Sequence, residues 1–163
     1  MLKTRILTAL VLLPAAYLLV FFTPPGWFAS IAAALLLLGA WEFRRLAGLQ
    51  SFFAGALLVL LQAAVFAFLL RNHQRWLEFD YIALAAACVV WLLMFMRLKA
   101  FRAGSRANAW YKTSSSVSAL LALTSGWFAL CWLRFEPGGS WLVLQLLLII
   151  WAADIGAYFA GKA

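Results

Sequence analysis

The sequence predicts an all-α, polytopic integral membrane protein of about six transmembrane helices with a cytoplasmic amino terminus. Three observations lead there. First, 67% of the 163 residues are apolar and only 11% are charged, against roughly 45–50% and about 25% in a soluble domain. Mean hydropathy is +0.99. A chain of this length forms one domain, here a single membrane domain over residues 1–163. So short a chain cannot hide that much apolar surface from water. Second, the apolar residues form continuous runs without alternation, which selects helices over a lipid-embedded barrel. Third, the basic residues gather between the runs, and mostly on one side.

A spanning helix needs roughly 17–25 mostly apolar residues. The first run, Ile6 to Phe22, stops at Thr23-Pro24-Pro25-Gly26, because consecutive prolines lack the amide donor and clash with the preceding turn. Lys3 and Arg5 before it resemble a secretory leader, but no small-residue cleavage site follows, so a retained helix is expected. The second run is Trp27 to about Phe43, the third Phe52 to Leu70, and the fourth, shorter, Tyr81 to Met96. The fifth runs from about Ser116 to Leu133, with Ser114-Ser115-Ser116 expected to cap it. The sixth runs from Trp141 to about Ala160. Trp27, Trp41, Trp110 and Trp141 near helix ends suit an interfacial belt.

Counting charges orients the chain. With the amino terminus inside, the cytoplasmic segments 1–5, 44–51, 97–115 and 161–163 hold ten of the thirteen basic residues, leaving Arg71, Arg75 and Arg134 outside. The loop RLKAFRAGSRANAWYKTSS, residues 97–115, has five basic residues and no acid. It reads as a topology anchor touching anionic headgroups, and also as a surface that gathers an anionic substrate. The net charge of +8 is thereby explained by the membrane, and no nucleic-acid partner is expected. Cys88 and Cys131 show no ligand spacing. With His73 the only histidine, zinc and histidine-pair chemistry is excluded in practice.

Ionisable groups at membrane depth are costly and point to function. Two acids qualify. Glu42, in GAWEFRRLAGL, adjoins Arg44 and Arg45 at a hydrated helix end and reads as a solvated or ion-paired interfacial acid. Asp154, in LLIIWAADIGAYFAGKA, has no basic residue within one turn. Tyr158 follows at i+4 and Lys162 at i+8, roughly on one helical face, so a carboxylate, a phenol and an amine line up toward the cytoplasm. Ala152, Gly156 and Ala160 form a small-residue stripe that permits a close helix neighbour. A polar cavity between helices is the expected setting; a purely structural hydrogen bond from Asp154 is the alternative. Gly156 to Lys162 mimics the start of a P-loop, but Ala163 stands where Ser or Thr is required and the segment continues an apolar helix.

WAADIGAYFAGKA, Trp151 to Ala163, resembles the central Asp-x-Gly-Ala-Tyr motif of the bacterial phosphatidate cytidylyltransferases, or CDP-diacylglycerol synthases. LKTRILTALVLLPAA, Leu2 to Ala16, and GAWEFRRLAGL, Gly39 to Leu49, resemble that family's amino terminus and its Trp-Glu segment. The stretch before Arg134, with Gly138 and Trp141 following, has the same cadence. The resemblance spans the whole chain and implies transfer of CMP from CTP to phosphatidate, giving CDP-diacylglycerol and pyrophosphate. It implies Asp154 as a catalytic residue and one ligand of a divalent metal, normally Mg2+. It places Lys162 near a substrate phosphate and Tyr158 in the cavity wall. It also implies a multi-pass location in the bacterial inner membrane, membrane lipids around the chain, and a homodimer. Family members continue beyond this point, into a Ser-Pro and lysine segment and a later signature with the main metal-binding acids. The chain is expected to be the amino-terminal portion of a longer enzyme.

Two other readings compete: a CTP-dependent lipid kinase of the polyprenol type, and a non-catalytic membrane scaffold. The product separates the enzymes, a nucleotidyl-lipid for the first and a lipid monophosphate for the kinase. The 163 residues purified alone are expected to show little or no transferase activity; robust CTP-dependent turnover by them would contradict this.

Overall fold

In a computed structural model, residues 2–72, 80–99 and 109–161 are described. They form six helices: α1 (Leu2–Phe22), α2 (Pro25–Leu46), α3 (Phe52–Arg71), α4 (Asp80–Lys99), α5 (Ala109–Phe135) and α6 (Gly139–Ala160). Among the described residues there is no strand. The protein is thus an all-helical membrane protein. α2, α3, α5 and α6 are long and apolar enough to cross a bilayer, and Leu10–Phe22 and Tyr81–Met96 are shorter apolar stretches. His73, Lys162 and the segment 100–108 of the basic loop lie outside the described residues.

The connections follow from local chemistry. α2 runs on through Arg44 and Arg45, whose charges suit the negative end of a helix dipole. It ends in a Schellman motif: Gly48 has φ +75°, its amide donates to Arg45 O, and the Leu49 amide donates to Arg44 O at 2.9 Å. Before α6, Gly138 takes φ +74°, and a Cβ on Gly139 would collide with the carbonyls of Leu133 and Arg134. Only glycines fit this turn.

The serine run does not cap α5. That helix begins at Ala109, seven residues before the expected start, and the serines lie inside it. Their hydroxyls donate backward along the helix, Ser114 to Trp110 O at 2.7 Å, Ser116 to Lys112 O at 2.8 Å and Ser118 to Ser114 O at 2.8 Å. A serine satisfied by the carbonyl four residues earlier no longer competes with the helix.

The chain divides into two compact units, residues 1–28 with 130–163, and residues 29–129. In the first, α1 packs against α6. Val20, Phe28 and Val143 are buried there against Leu19, Leu130 and Leu147. The Ser140 hydroxyl donates to Val20 O at 3.1 Å. Arg134 donates through Nη2 to Thr23 O at 2.7 Å, and its guanidinium lies 5.8 Å from the Phe28 ring centre.

In the second unit, three neighbouring residues of α5 each engage a different helix. Thr124 Oγ1 accepts from Gln62 Nε2 of α3 at 3.0 Å. Ser125 Oγ accepts from Trp91 Nε1 of α4 at 3.2 Å. Trp127 Nε1 donates to Ala29 O of α2 at 2.9 Å. Trp127 and Gln62 are 0% exposed, and the Trp127 ring lies 4.9 Å from that of Phe66. Trp127→Ala is expected to cost about 3–5 kcal/mol, the scale for a large core side chain. Trp127→Phe retains an apolar ring but loses the bond to the Ala29 carbonyl, which keeps its partner within α2, at a cost of about 0.5–1.5 kcal/mol. Thermal unfolding in detergent measures both, and an unchanged Trp127→Phe midpoint would contradict the role given to this bond.

Candidate functional site

Asp154 lies in the last two turns of α6, in a stretch exposed from Ala152 to Gly161. The sequence between Leu142 and Ala160 keeps this segment helical without a capping acid or a basic last turn. No described residue hydrogen-bonds to the Asp154 carboxylate or forms an ion pair with it. Tyr158, one turn on, is 39% exposed and meets Phe159 edge to face at 5.6 Å. Gly156 has open space where a Cβ would project. The described residues therefore do not close the expected polar cavity around Asp154. The small-residue stripe Ala152, Gly156 and Ala160 is exposed as well. Lys162 lies outside the described residues. The carboxylate and the phenol are the two members of the expected line that the structure describes, on one end of one helix.

The second acid, Glu42, is exposed at the carboxyl end of α2. It lines an open cleft of about 620 Å³ with Gly39, Trp41 and Arg45. Among the described residues it forms no ion pair, and its side chain is exposed. Arg44 takes a different position from Arg45. Its guanidinium carbon lies 4.2 Å from the Trp41 ring centre, and Phe52 meets that ring edge to face at 5.4 Å. A Cβ on Gly55 would collide with the Arg44 side chain, so glycine is what lets the arginine lie against α3. Arg44 Nε is buried there without a hydrogen-bond partner. Arg44 thus joins α2 to α3 by packing against Gly55, held by a cation–π contact with Trp41 of its own helix, while Arg45 remains exposed.

Two residues escaped sequence reasoning. Gln62 is fully buried, with Oε1 lacking a partner. Its signal was available, as a lone amide within an apolar run of α3. Lys112 belongs to the basic stretch 97–115 in sequence, but it lies on α5, half-buried beside α3. Nothing in the composition of that stretch distinguished it from the other four cations.

The model of the cytidylyltransferase family matches residues 3–163. The chain belongs to the cytidylyltransferase family. Within this family, it is 34% identical over 165 residues to the phosphatidate cytidylyltransferase of Pseudomonas aeruginosa, covering 100% of this chain and 58% of that protein. It is 30% identical over 182 residues to the phosphatidate cytidylyltransferase of Haemophilus influenzae, covering 100% of this chain and 61% of that protein. The chain therefore spans about three fifths of the length of these curated relatives. No solved structure matches it significantly.

For a member of this family, the metal-binding capacity of the described residues is narrow. No group of three His, Cys, Asp or Glu side chains comes together among them, so they build no all-protein metal cage. Mg2+ is commonly held by only one or two carboxylates, with phosphate oxygens and water completing its shell. The exposed Asp154 carboxylate, without a competing cation among the described residues, fits one such position.

Proposed function

We propose that this chain is the amino-terminal membrane part of a phosphatidate cytidylyltransferase that makes CDP-diacylglycerol from phosphatidate and CTP in a bacterial inner membrane. The observation that carries the reading is identity along the full length of this chain to two enzymes of that name. The physical setting supports it. A phosphatidate head group is confined to the membrane surface, and this chain offers helices long and apolar enough to span. The ten basic residues on the amino-terminal side favour the orientation that puts the carboxyl end of α6 toward cytoplasmic CTP.

In the transfer, a phosphate oxygen of the lipid attacks the α-phosphorus of CTP. The new oxygen–phosphorus bond forms as the bond to the β-phosphate oxygen breaks, and pyrophosphate leaves with the electron pair. Both reactants are anionic, so the chain must offset charge. Mg2+ held in part by Asp154 would neutralise phosphate charge and align the reacting groups. Asp154 contributes one carboxylate oxygen, fixed in direction by its helix. Lys162, eight residues further along the sequence, supplies a phosphate-binding ammonium, while Tyr158 lies one turn after Asp154 on α6. Assembly as a homodimer belongs to the same proposal.

Asp154→Asn in the full-length enzyme keeps the side-chain volume and removes the charge. It is expected to lower kcat/KM by ~10²-fold or more, the scale for losing one electrostatic group aimed at the reacting centre. The remaining activity should require a higher Mg2+ concentration, with Asp154→Glu recovering part of both losses. Wild-type activity and metal dependence in Asp154→Asn would overturn the role of this carboxylate.

A further inference from the structure

Lys112 carries a charge that no described residue balances. α5 begins at Ala109 with no acid in its first turn, so the ammonium stands beside the positive end of the helix dipole. Among the described residues no carboxylate pairs with it. Its side chain is half-buried, at one end of a groove of about 300 Å³ between α3 and the first half of α5. Thr113 and Ser116 lie at the same end, and the groove continues past Leu57 and Val117 to Leu61 and Leu120. Leu57, Leu61 and Val117 are exposed, so the groove opens sideways, where lipid chains lie around a membrane protein.

We propose that this groove binds an anionic phospholipid, with one acyl chain along α3 and α5 and the head-group phosphate on Lys112. The shape and the charge point to the same occupant. A groove at the small end of ligand pockets accepts one extended chain, not a folded lipid. A soluble anion would use Lys112 and leave the apolar length unused. A zwitterionic lipid would fill the apolar length but bring no net charge to the ammonium. Every lining residue belongs to the unit of residues 29–129, and the site needs neither CTP nor Asp154. Phosphatidylglycerol is not a reactant of the proposed transfer, so its occupancy separates this groove from the lipid site of the reaction.

The test uses the full chain in phosphatidylcholine vesicles without CTP. A trace of phosphatidylglycerol carrying an acyl-chain diazirine is photolysed, and labelled peptides are mapped. A matched phosphatidylcholine probe serves as the control. The expected label concentrates on Ala54–Leu61 and Val117–Leu120, and excess unlabelled phosphatidylglycerol displaces it, whereas excess phosphatidylcholine does not. Lys112→Gln should reduce phosphatidylglycerol labelling about fivefold, the scale of one lysine at an anionic surface, and leave the control unchanged. Ala54→Phe should block both probes. Equal labelling by the two probes, label spread evenly over the exposed face of α3, or insensitivity to Lys112→Gln would overturn the proposal. Competition on the unaltered chain decides the matter even if a variant fails to fold.

Discussion

Hydrocarbon offers no partner to a buried donor or acceptor, and α5 is where residues 29–129 meet that constraint. Thr124, Ser125 and Trp127 occupy little more than one turn, yet they bond to α3, α4 and α2 in sequence. Apolar side chains alone would not set this register, because lipid tails are as apolar as leucine. The Trp127 indole gives both terms at once, a large ring against Phe66 and a donor for a backbone carbonyl of α2. In the other unit, Ser140 and Arg134 do the same for the α1 end, by donating to Val20 O and Thr23 O.

Six helices were legible in the sequence because their apolar runs are long and bounded by polar or turn-forming residues, most plainly at Pro24-Pro25. Boundaries were less so. The serines of α5 have two ways to satisfy a hydroxyl, as a cap or by bonding back along the helix. Composition cannot choose between them, and the structure takes the second. The pair Arg44 and Arg45 looked uniform, yet one lies on Trp41 against a glycine of α3 and the other is exposed. That difference arises from packing between helices and has no sequence period. Gln62 was visible as an exception within an apolar run, but its partner Thr124 is far along the chain.

The candidate site was legible in part. Asp154 stood out because a carboxylate within a spanning segment is costly, and the structure keeps it on an exposed helix end. Its cavity was not legible as a contact set, because no described neighbour reaches it. Lys112 illustrates the reverse case. Its sequence context suggested a loop cation, and only the pairing of α3 with α5 shows it at the mouth of an apolar groove. Among the described cations, Arg44 packs between helices and Lys112 borders an apolar groove, so similar charges take different structural settings.

Cytidylyl transfer and phosphoryl transfer part at the fate of the phosphates of CTP. The full-length protein would be given both phosphatidate and a polyprenol, with CTP labelled on either the α- or the γ-phosphate. The account predicts label in the lipid from α-labelled CTP only, with the γ label leaving in pyrophosphate. Transfer of the γ label to lipid would contradict the account and identify a CTP-dependent lipid kinase instead.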